Sequence, residues 1–147
     1  MKCPFCRETT TDVYNTRSTK SGTQIWRRRR CLACNKTFTT YEQPDLGFVR
    51  VQTPVGKAQH YSRAKLFGSI YLAFEASRAT SDTIDAVTDT VEGKILDTKL
   101  DLIPSTTIAG IILTALKHFD TSAFLRYLSS HSEVRSNREL RKIIGKY

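Results

Sequence analysis

Hydrophobic positions change their period partway along the chain. In the first part they fall in short runs rich in aromatic and β-branched residues, broken by polar turns. Gln24-Ile25-Trp26 and Thr37-Phe38-Thr39-Thr40-Tyr41 read as short strands, with Ser21-Gly22 as the turn before the first. Phe48 to Gln52 predicts a strand, Thr53-Pro54-Val55-Gly56 a turn, and Lys57 to Tyr61 a second short strand. Beyond residue 61 the spacing becomes helical. Ser62 precedes a helix with Leu66, Ile70, Ala73 and Phe74 on one face, and Ser81 one with Ile84, Val87, Val91 and Ile95. Ser105 follows Pro104 and opens Ile108, Ile111, Ile112, Ala115, Leu116 and Phe119. A fourth helix is expected from Thr121 through Phe124, Leu125 and Leu128, and a short basic one from Asn137 to Ile144. A hairpin with four packed helices is ample for a core of ~100 residues.

All four cysteines lie in the first 34 residues of a 147-residue chain. They form two Cys-x-x-Cys pairs, Cys3-Pro4-Phe5-Cys6 and Cys31-Leu32-Ala33-Cys34, with 24 residues between them. Two tight turns of this kind bring four soft thiolates to one point, which suits one tetrahedral zinc. A segment this small cannot bury a large core, and a metal supplies the missing stability. Two disulfides would need an oxidising compartment, which nothing in the sequence indicates. A thioredoxin-like pair would need a βαβ setting. An iron–sulfur cluster suits two evenly matched pairs less well than zinc. A closed site of four thiolates leaves no open position for catalysis.

The expected class is therefore α+β: a small N-terminal zinc ribbon of short antiparallel strands, then a mainly helical domain with a β-hairpin. The boundaries expected are 1–42 for the ribbon and 43–47 for a linker, Gln43-Pro44-Asp45-Leu46-Gly47. Residues 48–136 form the second domain and 137–147 a basic tail.

Charge sharpens this picture. The chain carries 23 Lys and Arg against 14 Asp and Glu, a formal net charge of +9. Residues 1–42 hold nine basic and three acidic residues, so two thirds of the excess lies in less than a third of the chain. Four thiolates around Zn²⁺ contribute −2, which still leaves the ribbon cationic. A field of this kind suggests a nucleic-acid partner. Arg27-Arg28-Arg29-Arg30 runs directly into the second cysteine pair, beside Trp26. In a strand Arg27 and Arg29 face one side, Arg28 and Arg30 the other, so two or three of them are expected on DNA. Arg is suited to this because its fork grips phosphate or guanine. Arg17 and Lys20 would extend the surface.

No enzyme constellation stands out. His60, His118 and His131 are scattered, and no phosphate-binding glycine loop or nucleophile elbow is present. Asp82, Asp85, Asp89 and Glu92 read as a solvated helix face near a positive dipole end. The longest apolar-dominated run, Ile108 to Leu116, is nine residues and includes Gly110 and Thr114. A membrane span needs ~20. The start of the chain has no apolar signal region, so the cytoplasm is the expected location.

Met1 to Cys6, Arg27 to Cys34 and Thr37-Phe38-Thr39-Thr40-Tyr41-Glu42 together resemble the NrdR-type bacterial repressors of ribonucleotide reductase genes. Gly56, Tyr61 to Leu66, Ile103-Pro104-Ser105 and Ala123 to Tyr127 match that family more loosely, in order and spacing. The resemblance implies a zinc ribbon joined to an ATP-cone, a nucleotide-sensing module of a hairpin and four helices. It implies a homo-oligomer on a double-stranded operator, with ATP and dATP as regulatory ligands that change its assembly, and no membrane partner. It places the protein in the bacterial cytoplasm, on the nucleoid when bound to DNA. Lys65, Ser105, Arg126 and Tyr127 are the nucleotide-binding candidates it implies, and His131 stands where the family often has a tyrosine near the base. The sequence departs from the cone at one place: Thr53 and Pro54 stand where the family carries Lys-Arg. Arg50 and Lys57 are the nearby cations that would substitute on the phosphates. The alternative is a DNA-binding module whose cone has lost nucleotide sensing and only oligomerises.

Overall fold

The computed structural model describes residues 1–18, 24–75, 77, 79–131 and 137–146. The expected turn at Ser21-Gly22 and the DNA-binding candidate Lys20 lie outside the described residues. The chain divides into two compact units, Met1–Asp45 and Leu46–Tyr147.

The first unit is one antiparallel sheet in the order β1-β2-β3: Thr11–Ser18, Ile25–Cys31 and Thr37–Glu42. The run of arginines does continue the strand begun by Ile25-Trp26, and β2 becomes the centre of the sheet. β1 has little apolar alternation and a register shift between Val13 and Asn15, which hides it from pattern reading. It pairs along its length with β2 all the same.

The second unit begins inside the stretch expected as a linker. Leu46–Phe48 forms a 3-10 turn, and Leu46 is buried in the core. The strand expected over Phe48–Gln52 is thereby shortened to β4, Arg50–Gln52. β5, Ala58–His60, pairs with it antiparallel, and β6, Leu102–Pro104, pairs with it in parallel from the other side. β6 has no strand signal of its own in three residues. Its partner, about fifty positions earlier, makes it a strand.

Among the described residues five helices follow or flank these strands: α1 Arg63–Phe74, α2 Ser81–Asp97, α3 Ser105–Phe119, α4 Thr121–His131 and α5 Asn137–Lys146. Ser62 caps α1, its hydroxyl accepting from the Lys65 N–H. The cap of α2 is Thr80, not Ser81, and the cap position of α3 is Pro104, which offers no side-chain acceptor. The helical stripes meet as their spacing requires: Ile70, Val87, Val91, Ile95, Leu116 and Leu128 are almost wholly buried together. Phe119 and Leu125, expected to face inward, are about half exposed at the end and flank of their helices. Among the described residues no helix is long and apolar enough to cross a membrane.

The acidic run of α2 is not simply a solvated face. Glu92 is buried, at 8% exposure. It accepts a hydrogen bond from the Tyr61 hydroxyl at 2.8 Å and is ion-paired with Arg63. Arg63 also reaches Asp89 at 2.7 Å and Asp85 at 3.4 Å. One guanidinium at the start of α1 thus fastens that helix to three carboxylates of α2.

Candidate functional site

The two cysteine pairs fold into the same local shape. After Cys6, Arg7 adopts a left-handed backbone with φ 64°, and after Cys34, Asn35 does the same with φ 57°. The Arg7 N–H returns to the Cys3 carbonyl at 2.9 Å, and the Asn35 N–H to that of Cys31 at 3.0 Å. The outer bonds match as well: the Cys3 N–H meets the Glu8 carbonyl at 2.7 Å and the Cys31 N–H that of Lys36 at 2.9 Å. Each turn therefore holds its two sulfurs on one side. Asn35 carries a recognisable signal for this backbone, since Asn tolerates it. Arg7 carries none.

The four thiols are free and lie within 4.8 Å of one another. Sγ of Cys3 and Cys34 are 3.7 Å apart, and those of Cys6 and Cys31 are 3.5 Å apart. A disulfide would bring two sulfurs to about 2 Å. Tetrahedral zinc, with Zn–S near 2.3 Å, holds them about 3.8 Å apart. The donor set and its spacing fit one zinc. Cys3 and Cys31 are wholly buried, so the inner half of the site is screened from water.

The sheet places the arginines in register with polar partners. Arg28 spreads its two terminal nitrogens over the hydroxyls of Thr39 and Thr37, at 3.0 and 2.8 Å. Arg29 Nε donates to the Thr40 hydroxyl at 3.2 Å, and Arg27 is ion-paired with Glu42 at 2.9 Å. Arg30 is exposed. Arg17 lies over the Trp26 ring, 5.7 Å from its centroid.

The second unit has a cavity of about 310 Å³ between the hairpin, α1, α3 and α4. Val51 and Gln59 face each other across β4 and β5 and both line it. Leu66, Ile108, Ala109 and Ile112 form its apolar wall. Lys65 stands at the rim, its ammonium donating to Gln59 Oε1 at 2.8 Å. Ser105 and Thr106 bring in the first turn of α3, whose N–H groups have no side-chain cap. Tyr127 and His131 stack at 3.9 Å with 8° between ring planes. Burial raises the Tyr127 hydroxyl above its ordinary range, with a hydrogen bond from Ser69 pulling the other way.

Of the candidates for nucleotide, Lys65, Ser105 and Tyr127 line this cavity, as does His131. Arg50, Lys57 and Arg126 do not. Arg50 alternates away from Val51 along β4, and Lys57 is exposed on the turn before β5. Arg126 points to the end of α1, where it donates to the Ala73 carbonyl at 2.6 Å. Pro54 does line the cavity, with Thr53 and Pro54 also bordering a shallower one of about 270 Å³ that shares Ser105 and Thr106. Gln59 and Ser69 also line the cavity, though neither belongs to a motif. Two-residue alternation from Tyr61 and helical spacing from Leu66 are the signals that lead to them.

The described residues thus form a four-thiolate ribbon followed in sequence by an α+β unit with a cavity of about 310 Å³. Comparison with known proteins narrows this. Residues 1–42 match the model of the transcriptional repressor NrdR-like N-terminal domain. Over 144 residues the chain is 33% identical to the transcriptional repressor NrdR of Albidiferax ferrireducens and 37% identical to that of an Acidovorax species, covering 98% of this chain and 97% of each relative. It is 33% identical over 147 residues to that of Cupriavidus necator, covering 100% of this chain and 95% of the relative. The chain belongs to the NrdR family of transcriptional repressors.

Proposed function

We propose that this protein is a zinc-dependent, nucleotide-responsive repressor that binds a duplex operator through its ribbon and controls ribonucleotide reductase genes. It works in the bacterial cytoplasm, on the chromosome. Zinc, held by Cys3, Cys6, Cys31 and Cys34, fixes the two turns and so orients β2 and β3; it supplies structure and no reaction. Two or three of the β2 arginines, with Arg17, Lys20 and Trp26, meet the DNA. ATP or dATP occupies the cavity, the bound nucleotide changes the oligomeric state, and the assembly sets operator affinity. The coupling is linkage: a nucleotide shifts assembly only as far as it binds one oligomer better than another. An oligomer that presents several ribbons to one duplex gains avidity.

The observation that carries the nucleotide half is the meeting of unlike groups at one cavity. An apolar wall and a stacked pair of rings suit a base. The Lys65 ammonium and the uncapped first turn of α3 suit phosphates.

A second reading keeps the ribbon and the oligomer but drops nucleotide sensing. It is favoured by Thr53 and Pro54, which are uncharged, and by Arg50 and Lys57, which do not line the cavity. Calorimetry of the zinc-loaded protein with ATP and dATP, with mass read by light scattering in the same samples, separates the two. Micromolar binding, weakened about tenfold in Lys65→Gln and accompanied by a change of mass, is the expected result. No heat and one fixed mass would leave the second reading standing.

A further inference from the structure

The ribbon sheet has two faces, and they differ in how their cations are held. Directly opposed residues of antiparallel strands share a face. The register places Trp26, Arg28 and Arg30 with Tyr41, Thr39 and Thr37 of β3, and with Arg17 and Asp12 of β1. Arg27 and Arg29 share the other face with Glu42, Thr40 and Phe38.

On the Arg27 face the ion pair with Glu42 already spends one cation. A phosphate approaching Arg27 must displace that carboxylate and then sit beside its negative charge. On the Trp26 face the partners of Arg28 and Arg17 are neutral, as Thr40 is for Arg29 on the other face. The Arg28 fork rests on two threonine hydroxyls, which aim it without cancelling its charge, and N–H donors remain for an outside acceptor. Arg17 lies on the Trp26 ring, which leaves its charge in place. Tyr41, opposite Trp26, is 60% exposed. The face thus combines uncompensated guanidinium groups with exposed aromatic surface. Its acid is Asp12, opposite Arg30, which makes no ion pair among the described residues.

We infer that the Trp26–Arg28–Arg30 face is the one applied to duplex DNA, with Arg27 turned to the other face by strand alternation and paired there with Glu42. The inference rests on the DNA-binding reading above and adds to it which surface makes contact. Arg28 and Arg30 meet phosphates or guanine edges, and Trp26 and Tyr41 pack on sugars or thymine methyl groups.

The test uses the full-length, zinc-loaded protein and a fluorescein-labelled duplex of the ribonucleotide reductase promoter region from the same genome. Anisotropy is measured across a salt series, with zinc content checked for every variant. Arg30→Gln and Arg17→Gln should each weaken binding about tenfold and lower the salt slope by about one. Tyr41→Ala should weaken binding at an unchanged slope. Arg27→Gln and Arg29→Gln should change affinity by less than about threefold, well under the loss expected for a contact residue. Asp12→Asn and Glu42→Gln each remove one negative charge and leave every arginine in place, so they decide the matter even where an arginine variant loses zinc. Asp12→Asn should tighten binding more than Glu42→Gln. The reverse order, or larger losses from Arg27 and Arg29 in zinc-replete protein, would overturn the assignment of the face. A wild-type protein that ignores the duplex would instead remove the DNA-binding reading itself.

Discussion

Glu92→Ala should destabilise the second unit by much more than its place on a charged helix run implies. Glu92 accepts the Tyr61 hydroxyl at 2.8 Å and is paired with Arg63, while only 8% of it meets water. A hydrogen bond to a charged acceptor contributes about 1.5–3 kcal/mol. The Arg63 pair adds about 1 kcal/mol or less, because that guanidinium is partly exposed and keeps Asp89 at 2.7 Å. The expected cost is therefore about 2–4 kcal/mol for Glu92→Ala, and about 1 kcal/mol for Glu92→Gln, which still offers Tyr61 an acceptor. Urea unfolding followed by circular dichroism at 222 nm measures this, since every helix among the described residues lies in the second unit. Trp26, in the first unit, would report the wrong transition. A cost below about 0.5 kcal/mol for Glu92→Ala would mean that the burial penalty of the carboxylate cancels its attractions, and the reasoning would fail. Equal costs for Ala and Gln would refute it in another way, by showing that the bond to Tyr61 contributes nothing.

The same cluster predicts a pH dependence. Burial, then the bond to Glu92 and its charge, hold the Tyr61 hydroxyl well above its ordinary value of 10.0, against a smaller opposing pull from Arg63. The folded value is the raised one, so this stabilisation is complete below pH 10 and is lost as pH climbs above it. Wild type should therefore lose stability more steeply than Tyr61→Phe in that range, by up to about 1.4 kcal/mol per pH unit; parallel slopes in urea titrations would refute it. Leu116→Ala empties a wholly buried position on α3 and should cost about 3–4 kcal/mol in the same assay, whereas a cost near 1 kcal/mol would mean the core collapses around it. Chelating zinc should shift the Trp26 emission and abolish duplex binding, while the 222 nm signal persists. Unchanged Trp26 emission after zinc loss would show that the sheet stands without the metal.

Much of this protein is legible in local sequence because its causes are local. The two Cys-x-x-Cys turns bring their sulfurs together through hydrogen bonds spanning only a few residues. Ser62 caps α1 through a bond three residues long, and the stripe of α2 from Ile84 to Ile95 is buried as its spacing requires. The misses are instructive for the same reason. Ser81 and Ser105 each look like a cap, but the chain enters those helices one residue earlier, at Thr80 and Pro104. Leu46 looks like part of a linker until the core that receives it exists.

Local pattern is enough to mark a zinc ribbon followed by a helical unit with a small hairpin, and to pick out the cations worth asking about. What those cations do follows from packing between distant segments. Identical residues in one tetrapeptide have different fates because β3 sets Glu42 beside Arg27 and threonines beside Arg28. Arg126 matches a family motif yet caps the end of α1, and Arg63 binds α2 across 22 to 29 positions of sequence. A charge is visible in the sequence, but its partner is chosen by strand register and helix packing. Those depend on contacts between segments that no local pattern specifies.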